Sequence, residues 1–139
     1  MESIKVKDYM NKRPVTFTAS MPLSRALEKM LSANQTGGPV VDDRNKVVGF
    51  LSEQDLIHKL LKAGYYCQDS NNVADCMHSN VKAVLPDDSI IRLAEEMLPA
   101  KPKVYPVIDE DERLVGCISR RDILRAIAAQ IDDSFHHPV

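Results

Sequence analysis

Gly49-Phe50-Leu51-Ser52-Glu53-Gln54-Asp55-Leu56 and Gly116-Cys117-Ile118-Ser119-Arg120-Arg121-Asp122-Ile123 are one phrase written twice, Gly-h-h-Ser-x-x-Asp-h with h apolar. The copies stand 67 positions apart, and at that offset Val6–Leu61 lies over Val73–Ala128 without a gap. Identities include Val6/Val73, Asp8/Asp75, Met10/Met77, Met30/Met97, Pro39/Pro106 and Asp42/Asp109. A self-match at a fixed period means one supersecondary unit used twice. Two copies of a polar phrase at a strand-to-helix junction point to two related pockets rather than one active site.

Upstream of each phrase the pattern is the same. Val15-Thr16-Phe17 is β-prone, and Ser20 stands where a helix N-cap belongs, followed by Leu23, Ala26, Leu27, Met30 and Leu31 as one helical stripe. In the second copy Asp87 takes the cap position, and the stripe is Ile90, Leu93, Ala94, Met97 and Leu98. Apolar strands around the charged turns 42–45 and 109–112 then predict a hairpin in each copy. A second helix starts near Ser52 and again near Ser119. Each repeat therefore reads β-α-β-β-α. The fold class is α/β (α+β), two repeats packed with pseudo-twofold symmetry. Expected boundaries are 1–64 for the first repeat, 65–72 for a linker, 73–131 for the second repeat and 132–139 for a C-terminal tail.

Composition narrows the function classes. A chain of 139 residues with 44% apolar content can build one core, whereas each half alone would be marginal. A net charge of −2 and 5% aromatic residues argue against nucleic acid and anionic membrane as partners. No apolar run approaches a membrane span, and Met1-Glu2-Ser3-Ile4-Lys5 lacks the apolar stretch of a signal peptide. Cys67, Cys76 and Cys117 fit no zinc spacing, so reduced thiols and a cytoplasmic location are expected. His58 and His78 read as solvated, His136-His137 is too short for a metal site, and the acidic turn 109–112 lacks calcium-loop spacing. No nucleophile motif is present, so neither enzyme activity nor a required cofactor is expected.

The order of motifs is similar to a tandem pair of CBS domains, the regulatory repeats named after cystathionine β-synthase. The resemblance rests on Val6-Lys7-Asp8-Tyr9-Met10 and Val73-Ala74-Asp75-Cys76-Met77, on 38–42 and 105–109 (Gly-Pro-Val-Val-Asp and Tyr-Pro-Val-Ile-Asp), and on the two closing phrases. It implies a module that binds adenosine-containing ligands (AMP, ADP, ATP or S-adenosylmethionine) and regulates a protein effector. It also implies a homodimer. The alternative is a structural or dimerisation module with degenerate nucleotide sites.

Ser52…Asp55 and Ser119…Asp122 have a plain reading as capping boxes. The resemblance adds a second, in which Asp55 and Asp122 hold ribose hydroxyls while Ser52 and Ser119 sit near ribose or phosphate. It also implies that the clefts cross the repeats. One would join Ser119 and Asp122 to Val15, Thr16, Thr36, Gly37, Gly38 and Pro39. The other would join Ser52 and Asp55 to Lys82, Ala83, Lys101, Lys103, Val104, Tyr105 and Pro106. Arg120 and Arg121 suit phosphate, and Gly37-Gly38 would let backbone approach a ligand. Glu53 disfavours phosphate beside Asp55. The Asp122 cleft is therefore the expected phosphorylated-nucleotide site.

Overall fold

The computed structural model describes residues 4–63, 71–97 and 103–136. The expected linker falls outside them apart from Asn71 and Asn72, as does Lys101. The elements are α1 (Leu23–Ala33), β1 (Gly37–Val41), β2 (Val47–Ser52), α2 (Glu53–Ala63), α3 (Ile90–Met97), β3 (Val104–Ile108), β4 (Leu114–Ser119) and α4 (Arg120–His136). β1 pairs antiparallel with β2, and β3 with β4, in matching registers. The strands expected at the head of each repeat shrink to single parallel bridges, Phe17 to Val40 and Val84 to Val107. α4 runs to His136, so the position given to the tail lies partly inside that helix.

The hairpin turns explain two shared aspartates. Asp42 Oδ1 accepts the amides of Arg44 and Lys46, each at 2.9 Å, and Asp109 Oδ1 accepts those of Asp111 and Arg113 at 2.9 and 3.0 Å. These amides hold the Asp42 carboxyl below the usual carboxylate range, that of Lys46 most strongly. Asn45 and Glu112 follow at φ 63° and 65° and close equivalent turns.

The bridges obey the 67-residue offset. Lys5 to Ser89 is mirrored by Pro22 to Asn72, and Asn11 to Cys117 by His78 to Phe50, while Lys46 to Arg113 lies on the axis itself. The segment that opens each repeat thus crosses to the other half. Ile4 and Val6 are buried with Val84, Ile90, Leu93, Tyr105 and Ile118 in one core cluster. Val73 is buried with Phe17, Leu23, Met30, Val40 and Leu51 in the other. A Cβ on Gly116 would lie 2.7 Å from the Asn11 carbonyl, and one on Gly49 2.6 Å from Met77 Sδ. The shared glycines are needed because a segment of the opposite half passes over them.

Two capping expectations are corrected. α1 is preceded by Pro22, not capped by Ser20, and has no side-chain cap. Residues 18–21 are spent on a turn (Met21 N–H to Thr18 O, 3.1 Å), and Pro22 is held against Asn72, so the helix starts later. Before α3 the Asp87 carboxylate faces Lys7 at 3.0 Å and Lys5 at 3.5 Å, and Ser89 Oγ accepts the Arg92 amide at 3.4 Å.

Candidate functional site

Each closing phrase folds into the same local device. In the first copy the Ser52 amide and hydroxyl donate to Asp55 Oδ2 at 2.9 and 2.8 Å, and the Asp55 amide donates to Ser52 Oγ at 3.2 Å. The second copy repeats this between Ser119 and Asp122 at 2.8, 2.9 and 3.2 Å. Both are reciprocal capping boxes at the starts of α2 and α4. The device spends only Oδ2. What holds Oδ1 differs: Arg125 Nη2 in one copy, and in the other His78 Nε2 at 2.7 Å, reaching over from the opposite half. His78 is therefore not a merely solvated histidine, and neither it nor Arg125 stands out in the sequence.

A cleft of about 490 Å³ opens beside Asp122. Its walls include Ser119, Arg120, Arg121 and Arg125 from one half, and Tyr9, Met10, Asn11, Asn34, Gln35, Thr36 and Gly37 from the other. Thr36 and Gly37 line the same cleft as Ser119 and Asp122. The contribution of residues 9–11 was not foreseen; the signal is their alignment with 76–78 at the head of the repeat.

Several candidates sit elsewhere than expected. Lys103 and Val104, expected opposite Asp55, line the Asp122 cleft. The cause is strand register: Val104 pairs with Ser119, and the Arg120 amide donates to Lys103 O at 3.0 Å. Val15, Gly38 and Pro39 are buried in the core and are absent from the walls of that cleft. A Cβ on Gly38 would lie 2.2 Å from the Val15 carbonyl, so strand packing, not ligand approach, requires this glycine. Thr16 gives its carbonyl to Lys29 Nζ. On the Asp55 side Lys82 pairs with Glu96 at 3.2 Å, and Ala83 is half-buried. Tyr105 and Pro106 are fully buried, the Tyr105 hydroxyl without a hydrogen-bond partner among the described residues and pushed up in pKa by burial.

Cys117 and Cys76 are poor nucleophiles. Burial pushes Cys117 up to about 12 and Cys76 up to about 11, the latter with help from the Asp55 charge. Among the described residues no cluster of three or more His, Cys, Asp or Glu could hold a metal ion, and no helix is long and apolar enough to cross a membrane.

Two pseudo-symmetric halves, exchanging their opening segments and carrying a Ser/Asp phrase at each helix start, define a tandem-repeat module of the kind the motifs suggested. The CBS domain profile matches residues 6–62 and again 73–129, and the chain belongs to the CBS domain family. The CBS-pair protein CBSX2 of Arabidopsis thaliana is similar at 29% identity with a TM-score of 0.80, over 94% of this chain and 98% of that one. CBSX2 has also been solved in complex with AMP. The CBS domain pair of protein MJ0100, in complex with 5′-methylthioadenosine and S-adenosylmethionine, matches at 26% identity and TM-score 0.79, over 93% and 99% of the two chains. Homoserine O-acetyltransferase of Methanosphaera stadtmanae is 28% identical over 123 residues, 88% of this chain and 24% of that enzyme. The chain spans less than half the length of the curated relatives it matches, reaching 45% for protein MJ1225 of Methanocaldococcus jannaschii.

Proposed function

We propose that this chain is a regulatory module that binds an adenosine-containing ligand in the Asp122 cleft and signals through a partner protein or a change of assembly. One observation carries the reading: a cleft of about 490 Å³ in which a carboxylate at a helix start is surrounded by Arg120, Arg121, Arg125 and Lys103. That volume falls in the range of small-molecule sites, about 300–1,000 Å³. A carboxylate accepts hydrogen bonds from vicinal hydroxyls, while arginines and a helix N-terminus suit a phosphate. The adenosine ligands bound by CBSX2 and by the MJ0100 pair support the same class here. The raised Cys76 and Cys117 thiols favour a binding role over nucleophilic catalysis.

A second reading is a structural or dimerisation module with degenerate sites. It is favoured by the fact that both Asp55 and Asp122 already serve as helix caps. Calorimetry with AMP, ATP and S-adenosylmethionine decides between them. Micromolar or tighter binding that Asp122→Ala weakens at least tenfold supports the sensor. Heats no larger than dilution for all three ligands leave the structural reading.

A further inference from the structure

The surroundings of Asp55 and Asp122 differ at several positions related by the 67-residue offset, and one such pair is Asn11 and His78. Their backbones are held alike. Asn11 exchanges amide bonds with Cys117 at 2.8 and 2.9 Å, and His78 exchanges them with Phe50 at 2.9 Å each. Their side chains do opposite things. Asn11 Oδ1 turns back onto its own chain and accepts the Arg13 amide at 2.9 Å, leaving Asn11 as wall of the Asp122 cleft. His78 reaches out and puts Nε2 2.7 Å from Asp55 Oδ1, the carboxylate oxygen that the capping box leaves over.

We infer that His78 is a specificity-determining residue that occupies the sugar-hydroxyl acceptor of the Asp55 cleft and so directs the adenosine ligand to the Asp122 cleft. This rests on the proposed function for the identity of the ligand. A hydroxyl pair docking on Asp55 Oδ1 meets an imidazole already donating there. The ligand must displace that donor before it gains its own bonds. The Asp55 carboxylate is 12% exposed, so it is reached from one side, and His78 lies over it with 68% of its own side chain in solvent. A latch so exposed is weak, which makes it a bias and not a permanent seal. Arg125, which holds Asp122 Oδ1, differs in kind. It lies three residues along the same helix, 64% exposed, and can swing from the carboxylate to a phosphate while staying in the cleft.

The test exchanges the two residues in the full chain and reads AMP binding by calorimetry. His78→Asn should tighten binding at the Asp55 cleft by about 1.5- to fivefold, the range expected for releasing an exposed polar contact of this kind. Adding Asp55→Ala to His78→Asn should remove that gain, and adding Asp122→Ala should not. The reciprocal Asn11→His should weaken the Asp122 cleft by a comparable factor. Far-UV circular dichroism and melting establish that each variant folds, and His78→Gln serves in place of the asparagine if that one does not. If the wild type binds AMP through Asp122 and His78→Asn gains no Asp55-dependent binding, the inference falls while the proposed function stands. If the wild type binds no AMP but His78→Asn does so through Asp55, the reverse holds. If neither chain binds AMP, both are overturned.

Discussion

With Oδ2 of Asp122 committed to the Ser119 amide and hydroxyl, the proposed ligand would use Oδ1 and displace Arg125 from it. Asp122→Ala therefore removes two functions together. Loss of the cap should lower stability by about 1 kcal/mol. Loss of the charged acceptor should weaken an adenosine ligand by about ten- to a hundredfold, equivalent to roughly 1.5–3 kcal/mol. Ser119→Ala separates the two, giving the stability loss with a smaller change in affinity. Arg120→Ala and Arg121→Ala should weaken AMP and ATP while sparing adenosine, because phosphate alone uses that charge; calorimetry with all three ligands is the check. The Cys76 and Cys117 thiols set a pH dependence. Both are raised in the folded chain, so the folded state keeps protons that the unfolded state gives up. Their contribution to stability is intact below about pH 9 and is lost as pH rises toward 11–12. Urea melts between pH 8 and 11 should show that decline, and Cys117→Ala should flatten it.

At the scale of elements, the crossing of residues 4–11 and 71–78 is the feature with most consequence. Val6 belongs by sequence to the first repeat and by packing to the core of the second, and Val73 does the reverse. Val6→Ala and Val73→Ala should each cost about 2 kcal/mol, as expected when a fully buried valine is truncated in a packed core. A chain starting at residue 12 should lose the second half's cooperative melt despite keeping residues 73–128 whole; an unchanged melt would refute the crossing. Gly38→Ala should be more damaging than either, since its Cβ would meet a backbone carbonyl. The repeat offset made the helices, hairpins and capping boxes legible, because each is a local pattern that the second copy repeats. Crossing was not legible in the opening segments, for identity at Val6/Val73 says that two places are equivalent, not which core each fills. The misread caps fail for the same reason. Ser20 and Asp87 have the right chemistry at the right spacing, but contacts from the opposite half decide where α1 and α3 begin. His78 escaped because its partner, Asp55, is distant in sequence and lies across the interface between halves.

At the scale of the whole molecule, the pseudo-twofold axis places the hairpins together, with β1 touching β3, and turns the helix pairs α1/α2 and α3/α4 outward. Only part of each helix's apolar stripe is buried; in α1 Leu23, Ala26 and Met30 are covered and Leu31 is not. Leu31 is 72% and Leu61 79% exposed on the α1/α2 side, with Ile57 beside them in the sequence pattern, and Leu124 and Ile131 are exposed on α4. One small hairpin cannot cover the whole apolar stripe of two helices, so the same geometry that completes each core leaves apolar surface on both flanks. Contiguous exposed apolar surface on a small domain marks an interface. A second copy of the chain offers the same residues, and a symmetric pairing would cover like with like. We therefore expect a homodimer built on these helices, burying about 1,200–2,000 Å² in total if it is stable at micromolar concentration. Light scattering on the eluting peak should give twice the chain mass of 15.6 kDa. Leu31→Glu with Leu61→Glu should return it to one, and because both side chains are largely in solvent within a single chain, circular dichroism should be unchanged. A wild-type chain that elutes at 15.6 kDa at micromolar concentration removes the dimer and leaves the helix faces to a different partner protein.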